Sequence, residues 1–496
     1  MSEAQKVAAP QQATEQVAER SLLDQIVEEG RLAKDPASKE RGKNLVKEFV
    51  AQVLDGSMTV SKDAEAMITA RIAQIDHLIS IQLNEILHNP AFQKLEGTWR
   101  GLKYLMDQSE TGVMLKLKIL NVSKRELLRD LQRAPEFDQS ALFKKVYEEE
   151  YGVFGGYPFG ALLGDYEFGK HPEDVELLEK VSNVAAAAHA PFLTGAAPDM
   201  FNMQSFTSID APRDLAKVFD TTEYAKWKSF RMTDDSRYVG LCLPHVLMRP
   251  PFGGKDGATV DAFNYDEGVD GTDHSKYLWA NAAWALGARL TNAFAHYGWC
   301  AAIRGVEGGG LVEGLPTHNF TTDEGDIALK CPTESPITDR REKELADLGF
   351  VPLVHCKNTD YAAFFSVQSA QKPKLFDKDA ANANARLSTQ LPYILAISRF
   401  AHYLKAMMRD KIGSFMSRKE CENFLNQWIL LYVVGNDEVA PEVKARRPLR
   451  DARIEVMEIP GKPGAYRAIA FLRPHFQLDE LSISLRLVAD LPQRAR

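Results

Sequence analysis

The 496-residue chain lacks long hydrophobic runs, paired cysteines and an excess of charge of one sign. The apolar run at 428–434 falls far short of the roughly 18 residues that span a bilayer. The first twenty residues lack the continuous apolar stretch of a secretory signal. These absences predict a soluble, cytoplasmic protein with no membrane insertion. The five cysteines (Cys242, Cys300, Cys331, Cys356 and Cys421) are odd in number, widely spaced and form no C-x-x-C. That pattern suits reduced thiols rather than a disulfide framework. A net charge of −8 gives no global field for a nucleic-acid backbone, so nucleic acid is not an expected partner.

Signatures of chemistry are also missing. Gly254-Lys255 resembles the end of a phosphate-binding loop, but Asp256 replaces the Ser or Thr that holds Mg²⁺ and Arg249 replaces the first glycine. The stretch from Gly305 to Gly310 has the wrong spacing for a dinucleotide fingerprint and reads as a loop needing positive φ. Asp261, Asp266, Glu267, Asp270 and Asp273 cluster, yet a calcium loop starting at Asp266 would place Gly268 third and Tyr277 twelfth, where ligands belong. Eleven histidines include no H-E-x-x-H, and adjacent His355 and Cys356 cannot close a tetrahedral zinc site. There is no G-x-S-x-G elbow, and Cys242, Cys300 and Cys356 sit among apolar neighbours, the setting of inert buried thiols. No catalytic residue, cofactor or metal ligand is assigned. A cytoplasmic α/β enzyme with a site in the 240–320 loops stays open as the alternative class, because distant loops can assemble a triad.

What the chain has is amphipathic structure. An apolar share of 45 % supports a sizeable core, and the length suits two or three domains at about 150 residues each. Residues 1–20 read as a disordered tail. Ser21 caps a short helix whose Leu22, Leu23, Ile26 and Val27 share a face. Leu45, Val46, Phe49, Val50, Val53 and Leu54 repeat that spacing. Ile68, Ile72, Ile75, Ile79 and Ile86 stripe a long helix over about 63–88, and Phe92, Leu95, Trp99, Leu102 and Met106 stripe the next. The last three of these four helices could pack on one another, while the first looks detached.

Residues 112–122 alternate apolar residues with Lys116 and Lys118, which predicts a strand with one buried face. Ser123 and Glu126 form a capping box for a helix to about 133. The Gly- and aromatic-rich stretch 151–169 predicts tight turns. Helical patches at 173–189 and 275–297 then alternate with strands at 237–247 and 362–369. Helices at 386–411 and 418–434 lead to strands at 452–459, 465–473 and 479–489, the first two forming a hairpin around 460–464.

Two features are suited to partners, and a basic run is open to either reading. The stripe at Leu22, Leu23, Ile26 and Val27 matches helix-in-groove docking. Leu481, Ile483, Leu485 and Leu487 alternate with polar residues on a last strand that suits β-strand addition. Lys444, Arg446, Arg447, Arg450 and Arg453 form the densest basic run, either a solvated face or a dock for an acidic partner.

Four blocks of sequence, at 88–105, 148–168, 237–253 and 300–318, resemble the large sheath subunit of the bacterial type VI secretion system, the TssC/VipB family. The resemblance extends from about Ser21 to the C-terminus. It implies a structural, non-enzymatic protein that pairs with a small subunit (TssB/VipA) and polymerises with further copies as a contractile tube. That tube would surround an inner tube of Hcp rings on a baseplate. It also implies that the ClpV unfoldase recognises the helix at 21–28, and that C-terminal strands enter sheets shared with neighbours. The expected fold is α/β (α+β), with N-terminal helices, a central α/β insertion, C-terminal helices and a terminal sheet completed by partner strands. The expected division is a segment for unfoldase recognition at 21–60, a sheath core at 61–135 with 385–496, and an outer α/β domain at 136–384.

Overall fold

The computed structural model describes residues 64–477, apart from 254–262, 264, 323, 415, 437, 462–464 and 476, together with residues 40, 41, 44, 47, 48 and 51. The chain divides into two compact units, Met1–Gln82 with Asp261–Tyr265 and Leu83–Val260 with Asp266–Arg496. In the first unit helix α1 (Ala64–Leu87) begins, with the expected stripe of Ile68, Ile72, Ile75 and Ile79. Those isoleucines are exposed, not packed as a core.

The second unit is built on a parallel sheet in the order β1 (Leu162–Phe168), β2 (Phe192–Ala196), β3 (Val239–Leu243) and β4 (Val351–Pro352). Alternation along the strands feeds two cores. Phe168, Phe192, Val239, Leu241 and Leu243 pack with helices α3 (Lys124–Arg133) and α4 (Pro172–Ala188). Leu193 and Cys242 pack with helix α5 (Ala283–Tyr297) and the start of helix α6 (Leu391–Asp410). A parallel sheet with both faces covered reads as near-continuous apolar strands, and β2 and β3 are buried throughout.

A third core joins the rest of α6, helix α7 (Arg418–Leu430) and an antiparallel hairpin of β5 (Leu449–Glu458) and β6 (Tyr466–Pro474). Trp299 stacks on Phe400 at 4.1 Å between ring centroids, with Trp428 and Tyr432 edge-on to Phe400. Local signals set the helix starts. Ser123 with Glu126 and Ser417 with Glu420 are complete capping boxes, and Pro172 opens α4 at a position where its missing N–H costs nothing.

Several expectations need correction. Residues 112–122 are in no strand, because no strand among the described residues pairs with them. The stretch 151–169 holds β1 as well as turns, its glycine and rings having masked a half-buried strand. The helix expected from 275 begins only at Ala283, since Trp279–Ala280 pairs with Val246–Leu247 instead. That pairing also splits the strand expected at 237–247. The strand expected at 362–369 shrinks to Ala362–Ala363. Cys356 is exposed, not buried among apolar neighbours.

Candidate assembly interface

Helix α2 (Pro90–Asp107) starts at Asn89, whose Oδ1 accepts from Ala91 N at 3.0 Å, with Pro90 in the first turn. Its inner face is made by Gly97, Gly101 and Leu105, the buried residues of the helix. A Cβ on Gly97 would stand 3.1 Å from the carbonyl oxygen of Trp279, so the small residues let α2 lie tightly on α5 and the strand before it. Polar clamps fix it further. Thr98 Oγ1 donates to Asp165 Oδ2 at 2.5 Å, and Ser109 Oγ donates to Thr291 Oγ1 at 2.8 Å. Arg249 bridges Glu96 at 2.9 Å and Glu267 at 2.7 Å, and His88 reaches Glu267 at 3.0 Å. Although burial raises Glu267, the Arg249 guanidinium holds its carboxyl below the usual range.

The expected apolar stripe therefore faces the other way, into solvent. Trp99 is 63 % exposed, and Leu95 and Met106 are exposed with it. After α2 the chain bends at 112–114 and continues outside any helix or strand to 121, with Val113 82 % and Ile119 70 % exposed. From 113 to 121 no main-chain N–H or C=O is hydrogen-bonded among the described residues, except Leu115 O, which accepts from Gly112 N at 2.9 Å. Lys116 Nζ lies 3.5 Å from the centre of the Tyr157 ring, and Lys118 pairs with Glu150.

The hairpin is open on one side. Asn426 of α7 bonds both Ile454 N and Ile454 O, and Glu422 Oε2 accepts from Val456 N at 3.1 Å, so α7 covers the outer edge of β5. Ala470 and Ala468 stand opposite those residues on β6, and no hydrogen bond among the described residues leads outward from them. Of the basic run, Lys444 and Arg446 lie on a short helix, Pro441–Arg446, and Arg450 lies on β5. Arg446 and Arg447 are exposed, Lys444 and Arg450 half-buried. Leu22, Leu23, Ile26, Val27, Leu481, Ile483, Leu485 and Leu487 lie outside the described residues.

The loops at 240–320 hold one group that resembles a triad. His245 sits between Glu334 on Nδ1 and Glu167, 2.9 Å from Nε2. Burial alone would lower its pKa, but the two carboxylates outweigh it and hold the imidazolium up to about 10. Ser205 Oγ donates to Glu334 at 2.6 Å rather than to the histidine, so neither ring nitrogen is free to take a proton from a nucleophile. The Cys242 thiol is pushed up by burial, and Cys300 likewise to about 12, away from thiolate chemistry. Asp266, Asp270 and Asp273 bond their own loop, accepting from Gly268, Thr272 and Ser275, while Glu267 is taken up by Arg249 and His88. Among the described residues no group of three or more His, Cys, Asp or Glu could hold a metal. No helix there is long and apolar enough to cross a membrane.

A buried scaffold with outward apolar elements is the form of a subunit made for a larger assembly. The sequence profile described as EvpB/VC_A0108 tail sheath N-terminal domain (VipB) matches residues 69–371, and that of the tail sheath gpW/gp25-like domain (VipB_2) matches residues 380–491. The chain belongs to the VipB tail sheath family. It is 47 % identical over 491 residues, 98 % of both chains, to the type VI secretion system sheath protein TssC1 of Pseudomonas aeruginosa. It is accordingly a structural subunit of a type VI contractile sheath. Among solved structures, a chain of the anti-feeding prophage baseplate aligns over 64 % of this chain and 66 % of its own, at 9 % identity and a TM-score of 0.34. A chain of the contracted anti-feeding prophage sheath aligns over 71 % of this chain and 83 % of its own, at 9 % identity and a TM-score of 0.28.

Proposed function

We propose that this chain is the large subunit of a two-protein sheath. It pairs with the small subunit TssB/VipA, and the pairs polymerise in the cytoplasm around the Hcp inner tube, on a baseplate. Contraction of the lattice then propels the tube toward a target cell. The observation that carries this reading is the exposed apolar surface: Leu95, Trp99 and Met106 on the firmly held α2, and Val113, Met114 and Ile119 on the segment just beyond. Monomeric proteins rarely leave such surface in water unless a partner covers it.

In this reading the chain makes and breaks no covalent bond. Work comes from the difference in interface free energy between an extended and a contracted lattice. A difference of about 1–2 kcal/mol per subunit, the size of a single packing or hydrogen-bond contribution, grows to the order of hundreds over several hundred subunits. Leu481, Ile483, Leu485 and Leu487 supply a strand shared with a neighbouring pair, and the open edge of β6 suits such sharing. The ClpV unfoldase takes Leu22, Leu23, Ile26 and Val27 after contraction. Lys444, Arg446, Arg447 and Arg450 dock an acidic surface of an adjoining subunit.

The test is co-expression with the cognate small subunit. The expected result is a one-to-one complex that polymerises, and a large subunit that aggregates when made alone. A compact, stable, solitary monomer indifferent to the small subunit would refute the reading.

A further inference from the structure

An open cavity of about 1060 Å³ is walled by the helices Ala225–Met232 and Asp339–Asp347, the turn at 213–220 and Lys372. Seven Lys or Arg residues and four Asp or Glu residues line it, an excess of positive charge in a chain whose net charge is −8. A concave wall with one dominant sign focuses the field and gathers counter-ions. The four carboxylates already have partners. Asp214 accepts from Ala216 N at 3.1 Å, Asp220 pairs with Lys228 at 3.5 Å, Glu344 with Arg341 at 2.7 Å and Asp347 with Arg386 at 3.6 Å.

The cations are less well matched. Arg231 is only 8 % exposed, and its guanidinium donates to the carbonyls of Ala370 at 2.9 Å and Asp347 at 3.1 Å. It makes no ion pair among the described residues. Burial pulls its pKa down to about 10, against the opposing effect of Asp347. Arg213 and Lys372 use no side-chain donor among the described residues, and Arg340 gives one to the carbonyl of Arg213 at 3.0 Å. A buried cation without a counter-charge is costly, so an anion seated against it is favoured.

The lining also selects the kind of anion. It holds no Ser, Thr, Asn, Gln, His or Tyr, and Lys and Arg side chains are donors only. The main chain of the turn is bonded within itself, Val218 N to Leu215 O at 3.0 Å and Phe219 N to Ala216 O at 3.2 Å. A peptide brings an N–H for almost every carbonyl and would meet carboxylates that already have partners. Trp227 and Phe219 are buried, so neither offers a ring face on which a base could stack. An occupant made of acceptors alone fits such a wall. We propose that this cavity binds a polyphosphate chain of three or more phosphates, held by Arg213, Arg340 and Lys372 and facing the buried charge of Arg231. The inference goes beyond assembly and does not depend on the companion subunit.

The experiment titrates inorganic tripolyphosphate into the full-length protein in its soluble form, by calorimetry at two salt concentrations. One site per chain is expected to saturate well below about 1 mM, to weaken as salt rises, and to prefer tripolyphosphate over orthophosphate at least about 10-fold. ATP, which carries the same chain of phosphates, is expected to bind no more tightly, and a short poly-glutamate peptide at least about 10-fold more weakly. Arg213→Glu combined with Arg340→Glu changes exposed side chains, so it should leave melting of the free protein as it is while weakening binding at least about 10-fold. Lys372→Glu, on a separate segment, is expected to weaken binding in the same direction. Absence of saturation, unchanged binding by these variants, a glutamate peptide that binds as well, or ATP that binds more than about 10-fold tighter overturns the proposal. The two-subunit reading stands whichever way these results fall.

Discussion

Gly101 on α2 faces the indole of Trp284 on α5 so closely that any Cβ at residue 101 would overlap the ring. The same indole donates from Nε1 to Asp165 Oδ1 at 3.1 Å, and Asp165 in turn accepts from Thr98 of α2. This lock turns Leu95 and Trp99 outward. Gly101→Val is expected to destabilise the complex by about 1–3 kcal/mol through overpacking. Its thermal unfolding should shift down and companion binding should weaken with it. Parent-like melting would contradict the lock.

Trp99→Ala separates docking from folding. The side chain is largely exposed, so the fold should change by no more than about 0.5 kcal/mol. An aromatic at the centre of an interface contributes about 2 kcal/mol or more, so affinity for the small subunit should fall at least about 30-fold. Quantitative co-purification against matched melting curves reads both effects.

His245 makes stability depend on pH in a defined direction. Its native pKa, near 10, lies above the ordinary 6.5, so its contribution is complete below about pH 6.5 and is lost as pH rises toward 10. Burial raises Glu167 and Glu334, but His245 outweighs it and holds both below the usual 4.5, so their contribution disappears on acidification. His245→Ala leaves two facing carboxylates and is expected to cost about 3–5 kcal/mol. Melting of the complex between pH 6 and 10 should fall steadily for the parent and much less for the variant.

The two terminal segments are tested by single substitutions. Ile26→Asp is expected to abolish binding to the ClpV N-terminal domain without affecting pairing with the small subunit. In the proposed shared strand, Ile483→Pro would remove a ladder donor and is expected to leave soluble pairs that form no tubes in negative-stain images. Unchanged ClpV affinity in the first case, or normal tubes in the second, would remove the assigned role.

Elements with strong local signals were legible in the sequence. The capping box at Ser123 marked a helix start, and the hairpin around 460–464 followed from alternation and turn residues. β1 was hidden because Gly164 and Tyr166 look like turn material until Phe192 and Phe168 pack around them. The outward face of α2 was legible as a stripe but not as a surface. Periodicity reports which residues share a face, and only Gly97 and Gly101, read as a close-approach pair, could have shown that the opposite face was the buried one. Residues 112–122 have the alternation of a strand, but pairing depends on a neighbour that the described residues do not provide. The His245 cluster draws on residues 167, 205, 245 and 334, too far apart for any spacing rule to join.

The most direct test of a function residing in assembly is electron microscopy of this chain co-expressed with its small subunit. The account predicts long helical tubes that are lost with Trp99→Ala and with Ile483→Pro. Monodisperse particles carrying only this chain, with the small subunit present and folded, would contradict it.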